Sequence, residues 1–303
     1  MELVILGSAA GGGYPQWNCH CPVCELAWSR DPRVSPRTQS GVAVSGDGHN
    51  WYLLNASPDL SQQILRTRVL RPAGEMRSSP IRGVFLTNGD VDHIAGLLSL
   101  RERQRLTLFA TEATLHIICS NPIFRVLDPA FVTMETLRPE IEVETGFGLR
   151  LRPFAVPGKV PLHQEEGEVE IGLKGEATLG FEVEATQGRR RRLVYIPGSA
   201  KVSVDIVTRV EGAELLIFDG TTFTDDEMVR QGLSQKTAWR MGHVAIAGGD
   251  GSLAAFAQAR IGRKIYTHIN NSNPVLVAGS PERAAVEAAG WEVAHDGMEV
   301  ALE

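Results

Sequence analysis

The sequence predicts an α/β fold in which helices pack on the faces of sheets. Apolar runs rich in β-branched residues recur along the chain, and segments with helical periodicity separate them. Such alternation is typical of α/β layering. A central segment, about 143–194, has several short strand-like runs and is predicted to be antiparallel. The predicted strands are 3–6, 41–45, 51–55, 83–87, 106–110, 193–196, 214–219 and 264–268, and the predicted helices are 57–66, 93–103, 226–231, 252–259 and 281–289.

The composition indicates one soluble domain over residues 1–303, since no linker or repeat interrupts the chain. A formal net charge of -6 argues against a nucleic-acid-binding protein, which needs a basic face. Four arginines at 189–192 follow a Gln-Gly pair, and we expect a solvated hairpin turn there rather than a nucleic-acid patch. No apolar run reaches the ~20 residues of a membrane span. The first residues resemble a strand rather than a signal peptide, so we expect a cytoplasmic protein without a membrane partner.

Cys19, Cys21 and Cys24 form a C-x-C-x-x-C cluster. Three thiolates on so short a tether can bind one ion, and sulfur ligands select zinc. Buried free thiols or a redox pair are the alternatives. Because a closed cysteine-rich site is structural rather than catalytic, the cluster predicts structural Zn²⁺. Its fourth ligand is His20 or a residue from elsewhere in the chain.

Four predicted strands end abruptly in polar residues. In α/β sheets, ligands bind beyond the carboxyl ends of the strands, so these residues are candidates for one site. The polar clusters are N-A-S-P-D at 55–59, T-N-G-D-V-D-H at 87–93, D-G-T at 219–221 and T-H-I-N-N at 267–271.

The histidines and carboxylates of these clusters predict a second metal site. Imidazole and carboxylate ligands suit iron, manganese or zinc, and two histidines with one carboxylate leave positions open for oxygen. A strand-end Asp also commonly caps the next helix, which is an alternative explanation of Asp92. The candidate residues are Asp90, Asp92, His93, Asp219 and His268, with His243 nearby in character.

These motifs resemble those of the metallo-β-lactamase fold, in the same order along the chain. The run N-G-D-V-D-H at 88–93 resembles the H-x-H-x-D-H signature of its hydrolases. The resemblance implies an αββα sandwich, with two mixed sheets face to face and helices on the outer faces. His243 matches a non-ligand histidine that acts as a general acid, and with Asp90 it forms the predicted catalytic pair. One metal position is assigned to Asp92, His93, Asp219 and His268.

The chain departs from the hydrolase pattern at the other metal position. Asn88 and Asp90 stand in place of two histidines, and Gly158 follows Pro157 near the place of a further ligand, with His163 out of register. An amide adds little as a ligand, so we expect an Asn88→Ala variant to retain its metal. The resemblance thus implies a single ion, Fe²⁺ with Zn²⁺ or Mn²⁺ as alternatives. Such a site suits oxygen chemistry better than two-metal hydrolysis.

Two longer strings resemble one family of pyrroloquinoline quinone (PQQ) biosynthesis proteins: L-G-S-A-A-G-G-G-Y-P-Q-W-N-C at 6–19 and H-I-N-N-S-N-P at 268–274. The resemblance implies iron- and oxygen-dependent hydroxylation of the tyrosine ring of a peptide-derived Glu–Tyr precursor. It also makes a homodimer a reasonable expectation. A metal-dependent hydrolase, similar to a peptidase or phosphodiesterase, and a PQQ carrier are the alternatives. Asn271 matches a histidine that completes a similar cysteine site in related phosphodiesterases, so it is the predicted fourth zinc neighbour.

Overall fold

Two facing mixed sheets of seven strands each form the centre of the computed structural model, which describes residues 1–188 and 191–302. The strands are β1 (Glu2–Gly7), β2 (Gly41–Ser45), β3 (Trp51–Leu54), β4 (Ile81–Phe85), β5 (Leu106–Thr111), β6 (Val132–Leu137), β7 (Val143–Glu144), β8 (Leu149–Gly158), β9 (Leu173–Ala185), β10 (Arg192–Ile196), β11 (Leu215–Asp219), β12 (Arg263–Thr267), β13 (Trp291–Val293) and β14 (Met298–Ala301). One sheet has the order β14-β1-β2-β3-β4-β5-β6 and the other β13-β12-β11-β10-β9-β8-β7.

Helices cover the outer faces, so the predicted αββα sandwich is confirmed. The α-helices are α1 (Pro22–Trp28), α2 (Leu60–Arg66), α3 (Val91–Ile94), α4 (Glu112–Ser120), α5 (Val204–Val210), α6 (Glu227–Arg230), α7 (Ala238–Met241), α8 (Ser252–Ala255) and α9 (Pro281–Ala288). Short 3₁₀ helices span Arg68–Leu70, Ala95–Leu100, Pro122–Val126, Leu162–Gln164 and Pro274–Leu276. No helix of the described ranges is both long and apolar enough to span a membrane.

The main core lies between the two sheets. Phe85 of β4 and Phe181 of β9 meet there edge to face, with ring centroids 5.8 Å apart. Strand β11 is buried on both sides: Ile217 points into this core, and Phe218 points into the core beneath the helices. Full burial of such a side chain stabilises the fold by about 1.5–3 kcal/mol. This double burial explains why the strand is a continuous apolar run rather than an alternating one.

Parallel pairing brings the polar strand ends together. In one sheet β3 and β4 are parallel, with Leu54 opposite Phe85, and in the other β11 and β12 are parallel, with Asp219 opposite Thr267. Consequently, the residues that follow these strands emerge at one edge of each sheet. Of the four predicted polar strand ends, those after β4, β11 and β12 line one cavity, whereas the residues at 55–59 after β3 do not line it.

The predicted helix 93–103 is wrong. Helix α3 begins two residues earlier, with Asp90 at its N-cap, and gives way to a 3₁₀ helix at Ala95. Gly96 lies so close to the backbone of the segment after β3 that an added Cβ would be 2.1 Å from the Ser57 carbonyl oxygen. This close packing brings the chain after β4 against the end of β3.

The central antiparallel prediction is confirmed, because β9 pairs antiparallel with both β8 and β10. In the hairpin predicted between β9 and β10, Arg189 and Arg190 lie outside the described residues. Arg192 directs its guanidinium at the carbonyl oxygens of Arg209 and Glu211. This arginine is therefore used within the fold.

Candidate metal centre

A cavity of about 290 Å³ opens at the polar edge of the two sheets. Loops after β4, β8, β11 and β12 surround it, together with the turn that follows α7. Residues that could bind metal lie on one part of its wall and two lysines lie on another. Its polar lining includes Asp92, His93, His243, His268, Lys159 and Lys236.

Asp92, His93 and His268 bring their donor atoms within 4.8 Å of one another. The Asp92 Oδ2 atom is 3.0 Å from His268 Nε2 and 3.7 Å from His93 Nε2. Asp92 lies within α3 rather than at its N-cap, so helix capping does not explain it. Two imidazoles and one carboxylate on a common face are a donor set that suits iron, manganese or zinc.

The orientation of the His93 ring follows from its neighbours. The backbone N–H of Asp90 donates to Asn88 Oδ1 at 3.0 Å, and His93 Nδ1 lies 2.7 Å from the same oxygen. His93 Nδ1–H therefore donates to that oxygen, which leaves Nε2 as the atom with a free lone pair. This Nε2 is buried without a hydrogen-bond partner in the structure. A buried imidazole nitrogen in that condition fits a metal ligand, with Asn88 setting its tautomer.

His268 is held in the same way by Thr221. The Thr221 hydroxyl donates to Asp219 Oδ1 at 2.7 Å and accepts from His268 Nδ1 at 3.0 Å. Nε2 of His268 is thus directed at the Asp92 carboxylate. The His268 backbone has φ +56°, a conformation that non-glycine residues rarely adopt. Strain of this kind is commonly kept where it aims a functional side chain.

The charges of this group suit metal binding. Burial lowers the pKa of His93, although the Asp92 carboxylate opposes this shift. Burial also opposes ionisation of Asp92, but His93 and His268 hold its pKa below the usual range. Burial would lower the pKa of His268 as well, yet its hydrogen bond to Asp92 raises it. Asp92 and His268 would hold a metal ion in place of the proton of their hydrogen bond.

Asp219 and His243 form a pair beside this group. His243 Nδ1 lies 2.7 Å from Asp219 Oδ2, which also accepts from the Ser199 backbone N–H at 3.0 Å. The His243 ring stacks on His268, with centroids 5.1 Å apart. The four predicted ligands thus do not fall into one set: Asp219 is grouped with His243 and His268 rather than with Asp92 and His93. The place of Asp219 among the ligands stays a prediction.

Asp90 lies at the edge of the cavity, outside the described groups that could hold a metal. Its Oδ1 atom accepts from the backbone N–H of Leu162 at 3.0 Å. Asp90 therefore connects the metal-binding loop to the segment after β8. The catalytic role of Asp90 stays a prediction. His163, the out-of-register histidine next to Leu162, is exposed.

The three clustered cysteines converge on Asn271. Its Nδ2 atom is 3.1 Å from the sulfur of Cys19, 3.3 Å from that of Cys24 and 4.0 Å from that of Cys21. Pro22 starts α1 directly after Cys21, and one turn places Cys24 beside it. His20, the other candidate fourth ligand, is exposed and pairs with Glu25. Because burial raises the pKa of Cys21 to about 12, its thiolate needs a compensating cation such as zinc.

We expect Cys21→Ser to remove most of the structural zinc while leaving the active-site donors in place. Loss of a structural metal lowers the free energy of unfolding by about 4 kcal/mol or more. Each kcal/mol shifts the unfolding temperature by about 1.5 °C in a chain of this size, so the unfolding temperature should fall by roughly 6 °C. Calorimetry and zinc analysis test this, with the exposed Cys119→Ser as the control. Full zinc occupancy in a Cys19/Cys21/Cys24 triple variant contradicts the assignment.

Sequence reasoning included Thr221 and Asn88 among the polar strand ends but missed that they orient the predicted ligands. Thr221 is two positions after Asp219 in an Asp-Gly-Thr strand end, and Asn88 is five positions before His93. Their polar character at strand ends was a signal, but only the folded loops show which ring each one contacts. The two lysines of the cavity wall, Lys159 and Lys236, were missed altogether. Neither stands in a polar strand-end cluster, so nothing in the sequence indicated that they line a site.

A family model described as the beta-lactamase superfamily domain matches residues 50–269. The chain is 52% identical over 302 residues to the coenzyme PQQ synthesis protein B of Methylorubrum populi, and 51% identical over 303 residues to the protein of that name from Xanthomonas campestris. Both alignments cover 100% of each chain.

Two solved structures with similar folds are also matched. The Zn²⁺-bound PqqB from Methylobacterium extorquens matches with a TM-score of 0.97 and 52% identity over 100% of both chains. A diphosphatase of the PhnP family matches with a TM-score of 0.68 at 22% identity, over 99% of this chain and 96% of that one. The diphosphatase likeness shows the fold alone. The chain belongs to the PqqB family, that of the coenzyme PQQ synthesis proteins B, within the β-lactamase superfamily.

Proposed function

We propose that this chain acts in PQQ biosynthesis as an Fe²⁺- and O₂-dependent hydroxylase of the tyrosine ring of a peptide-derived Glu–Tyr substrate. Membership of the PqqB family supports the pathway. The single observation that carries the reaction class is the donor set Asp92, His93 and His268, two imidazoles and one carboxylate with an unpartnered buried nitrogen. Sets of this composition leave coordination positions open in non-haem iron oxygenases.

The geometry around Asn88 and Asp90 supports one metal rather than two. In the hydrolase pattern, histidines at these positions bind the other ion. Here Asn88 Oδ1 is occupied by His93 Nδ1 and the Asp90 backbone, and Asp90 Oδ1 is occupied by the Leu162 backbone. Both side chains thus have other hydrogen-bond partners. Two-metal hydrolysis requires a pair of ions to clamp the attacking and leaving oxygens, so this arrangement favours the hydroxylase over the hydrolase.

A bound iron would supply the oxygen activation, and an external reductant would supply the electrons that reduce the second oxygen atom to water. The protein's own residues hold and orient the substrate beside it. Asp219 engages Nδ1 of His243, which leaves Nε2 of that ring to exchange a proton with the substrate. In a ring hydroxylation, the phenol is the group on which a base of this kind acts.

A carrier of the finished quinone is the second candidate. The observation that favours it is the pair of lysines in the cavity wall, because a carrier needs charge complementarity but no open coordination position. Both candidate functions would use the lysines of the cavity wall. They differ in whether the protein converts its ligand into a product.

Isotope labelling tests the hydroxylase. Anaerobically purified protein is loaded with Fe²⁺ and incubated with a Glu–Tyr dipeptide, a reductant and ¹⁸O₂. We expect oxygen uptake and one labelled oxygen in the ring of the product, by mass spectrometry. Product labelled from H₂¹⁸O alone, or formed without oxygen, overturns the hydroxylase and favours the hydrolase. Tight binding of PQQ without any product favours the carrier.

A further inference from the structure

A group of ion pairs lies at the side of the cavity formed by the segment after β8. The carboxylate of Glu165 is 2.9 Å from Lys159 Nζ, 3.0 Å from Lys236 Nζ and 3.1 Å from Arg240 Nη2. We call these four residues the basic cluster. The Glu165 side chain is only 10% exposed, and Arg240, followed by Lys159 and Lys236, holds its pKa at about 2. Three cations therefore surround one permanent anion, which leaves a surplus of positive charge.

The basic cluster is connected on two sides to the segments that carry His243 and Asp90. The aliphatic stem of Lys159 passes over Gly242, where an added Cβ would lie 3.1 Å from Lys159 Cγ. Gly242 has φ +90° and immediately precedes His243. On the other side, Asp90 fixes the Leu162 backbone, three residues before Glu165. The cavity consequently has a wall of carboxylates and imidazoles and a wall of ammonium groups.

A simpler explanation of the basic cluster is that its ion pairs only hold the loop after β8 in place. One well-placed arginine satisfies a carboxylate, and Arg240 already contacts both oxygens of Glu165. Two further half-buried or buried lysines would then be surplus, and removing cations from water is unfavourable unless anions compensate. A lysine also carries a compact charge on a flexible stem that can be directed at a new partner. The surplus of positive charge at a cavity wall thus favours a role in binding an anionic ligand over a purely structural role in holding the loop.

We propose that Lys159 and Lys236 bind a carboxylate of the substrate, which joins Glu165 in neutralising the basic cluster. The ligand class is a small molecule with more than one carboxylate, one end on the lysines and the other directed at the metal group. The identity of the substrate in this inference is taken from the proposed function, and the inference rests on it in that respect. The lysine contacts themselves require only a carboxylate ligand in this cavity.

Binding measurements on full-length, Zn²⁺-loaded protein test the proposal without oxygen chemistry. The probes are PQQ, a tricarboxylate, and the Glu–Tyr dipeptide, with Gln–Tyr amide as the analogue that has no carboxylate. We expect Lys236→Met to weaken binding of PQQ and of Glu–Tyr by about 10–100-fold, the usual loss when a charged partner of a carboxylate is removed. Glu165→Gln should strengthen both by several-fold, because it removes a competing anion. Lys174→Met, at an exposed lysine paired with Asp205, is the matched control.

The outcomes separate this proposal from the proposed function. Unchanged binding of PQQ and Glu–Tyr to Lys236→Met and Lys159→Met overturns the lysine assignment, whatever the labelling experiment shows. Equal weakening of binding of the carboxylate-free Gln–Tyr amide also overturns it, because the effect would then not depend on carboxylates. Conversely, failure of ¹⁸O₂ labelling with lysine dependence intact overturns the hydroxylase alone.

Discussion

His93→Ala and His268→Ala should each abolish iron binding at the active site and reduce turnover to the background rate. Asp92, His93 and His268 form what we call the Asp92 group, in which the two imidazoles are the nitrogen donors. Each variant leaves one imidazole and one carboxylate, and we expect these two donors to lose a divalent transition metal during desalting. The measurement is iron content after anaerobic loading and desalting, with the zinc of the cysteine cluster as an internal reference. That zinc should remain, because the cysteine cluster and the Asp92 group share no described residue.

Asn88→Ala gives the intermediate result of the series. From the sequence, this variant was expected to retain its metal, because an amide is a poor ligand. The structure changes that expectation: Asn88 Oδ1 accepts from His93 Nδ1 and thereby leaves Nε2 as the nitrogen free to bind a metal. Loss of such an orienting partner lowers metal affinity by about 10–100-fold.

The matched control is His163→Ala, an exposed histidine on the segment that covers the cavity. It should bind iron as the unaltered chain does. If His163→Ala loses as much iron as His93→Ala, or if His268→Ala keeps full occupancy, the assignment of the Asp92 group is wrong.

Most of the fold could be predicted because its signals are local. Strand β11 is an unbroken apolar run that ends in Asp219, and its class and end were both predicted from that pattern. Strand β14 was missed, since Met298–Ala301 is short, contains Glu299 and pairs only at the edge of its sheet. The break in the predicted helix 93–103 depends on the contact of Gly96 with the end of β3, which is distant in sequence.

The site shows the same division between local and distant information. The proximity of Asp92, His93 and His268 could be predicted because strand ends concentrate functional groups; their role as metal ligands stays a prediction. The pairing of Asp219 with His243 joins residues 24 positions apart through a loop, and no periodicity reports such a contact. The basic cluster depends equally on distant contacts, since Glu165 and Arg240 are separated by 75 positions. A single domain over 1–303, a cytoplasmic location and a homodimer stay predictions.

His243→Ala should keep the fold and the active-site metal yet lower the turnover rate by about 10²–10⁴, the usual range for removal of a general acid or base. The reason lies in the Asp219 pair. Asp219 Oδ2 fixes the Nδ1–H tautomer of His243, and the ring lines the cavity beside His268. An imidazole so held presents its other nitrogen for proton exchange, as in other Asp–His pairs.

Iron content, oxygen uptake and rescue by added imidazole distinguish this role from a structural one or from metal ligation. We expect normal iron content, slow uptake and partial recovery when imidazole is added, because the small base can enter the space that the side chain leaves. Loss of iron in His243→Ala would instead make His243 a ligand, together with Asp219 and His268, as their grouping in the structure permits. An unchanged rate would remove His243 from the chemistry, and Asp90, the other predicted catalytic residue in the cavity lining, would then be the next to test.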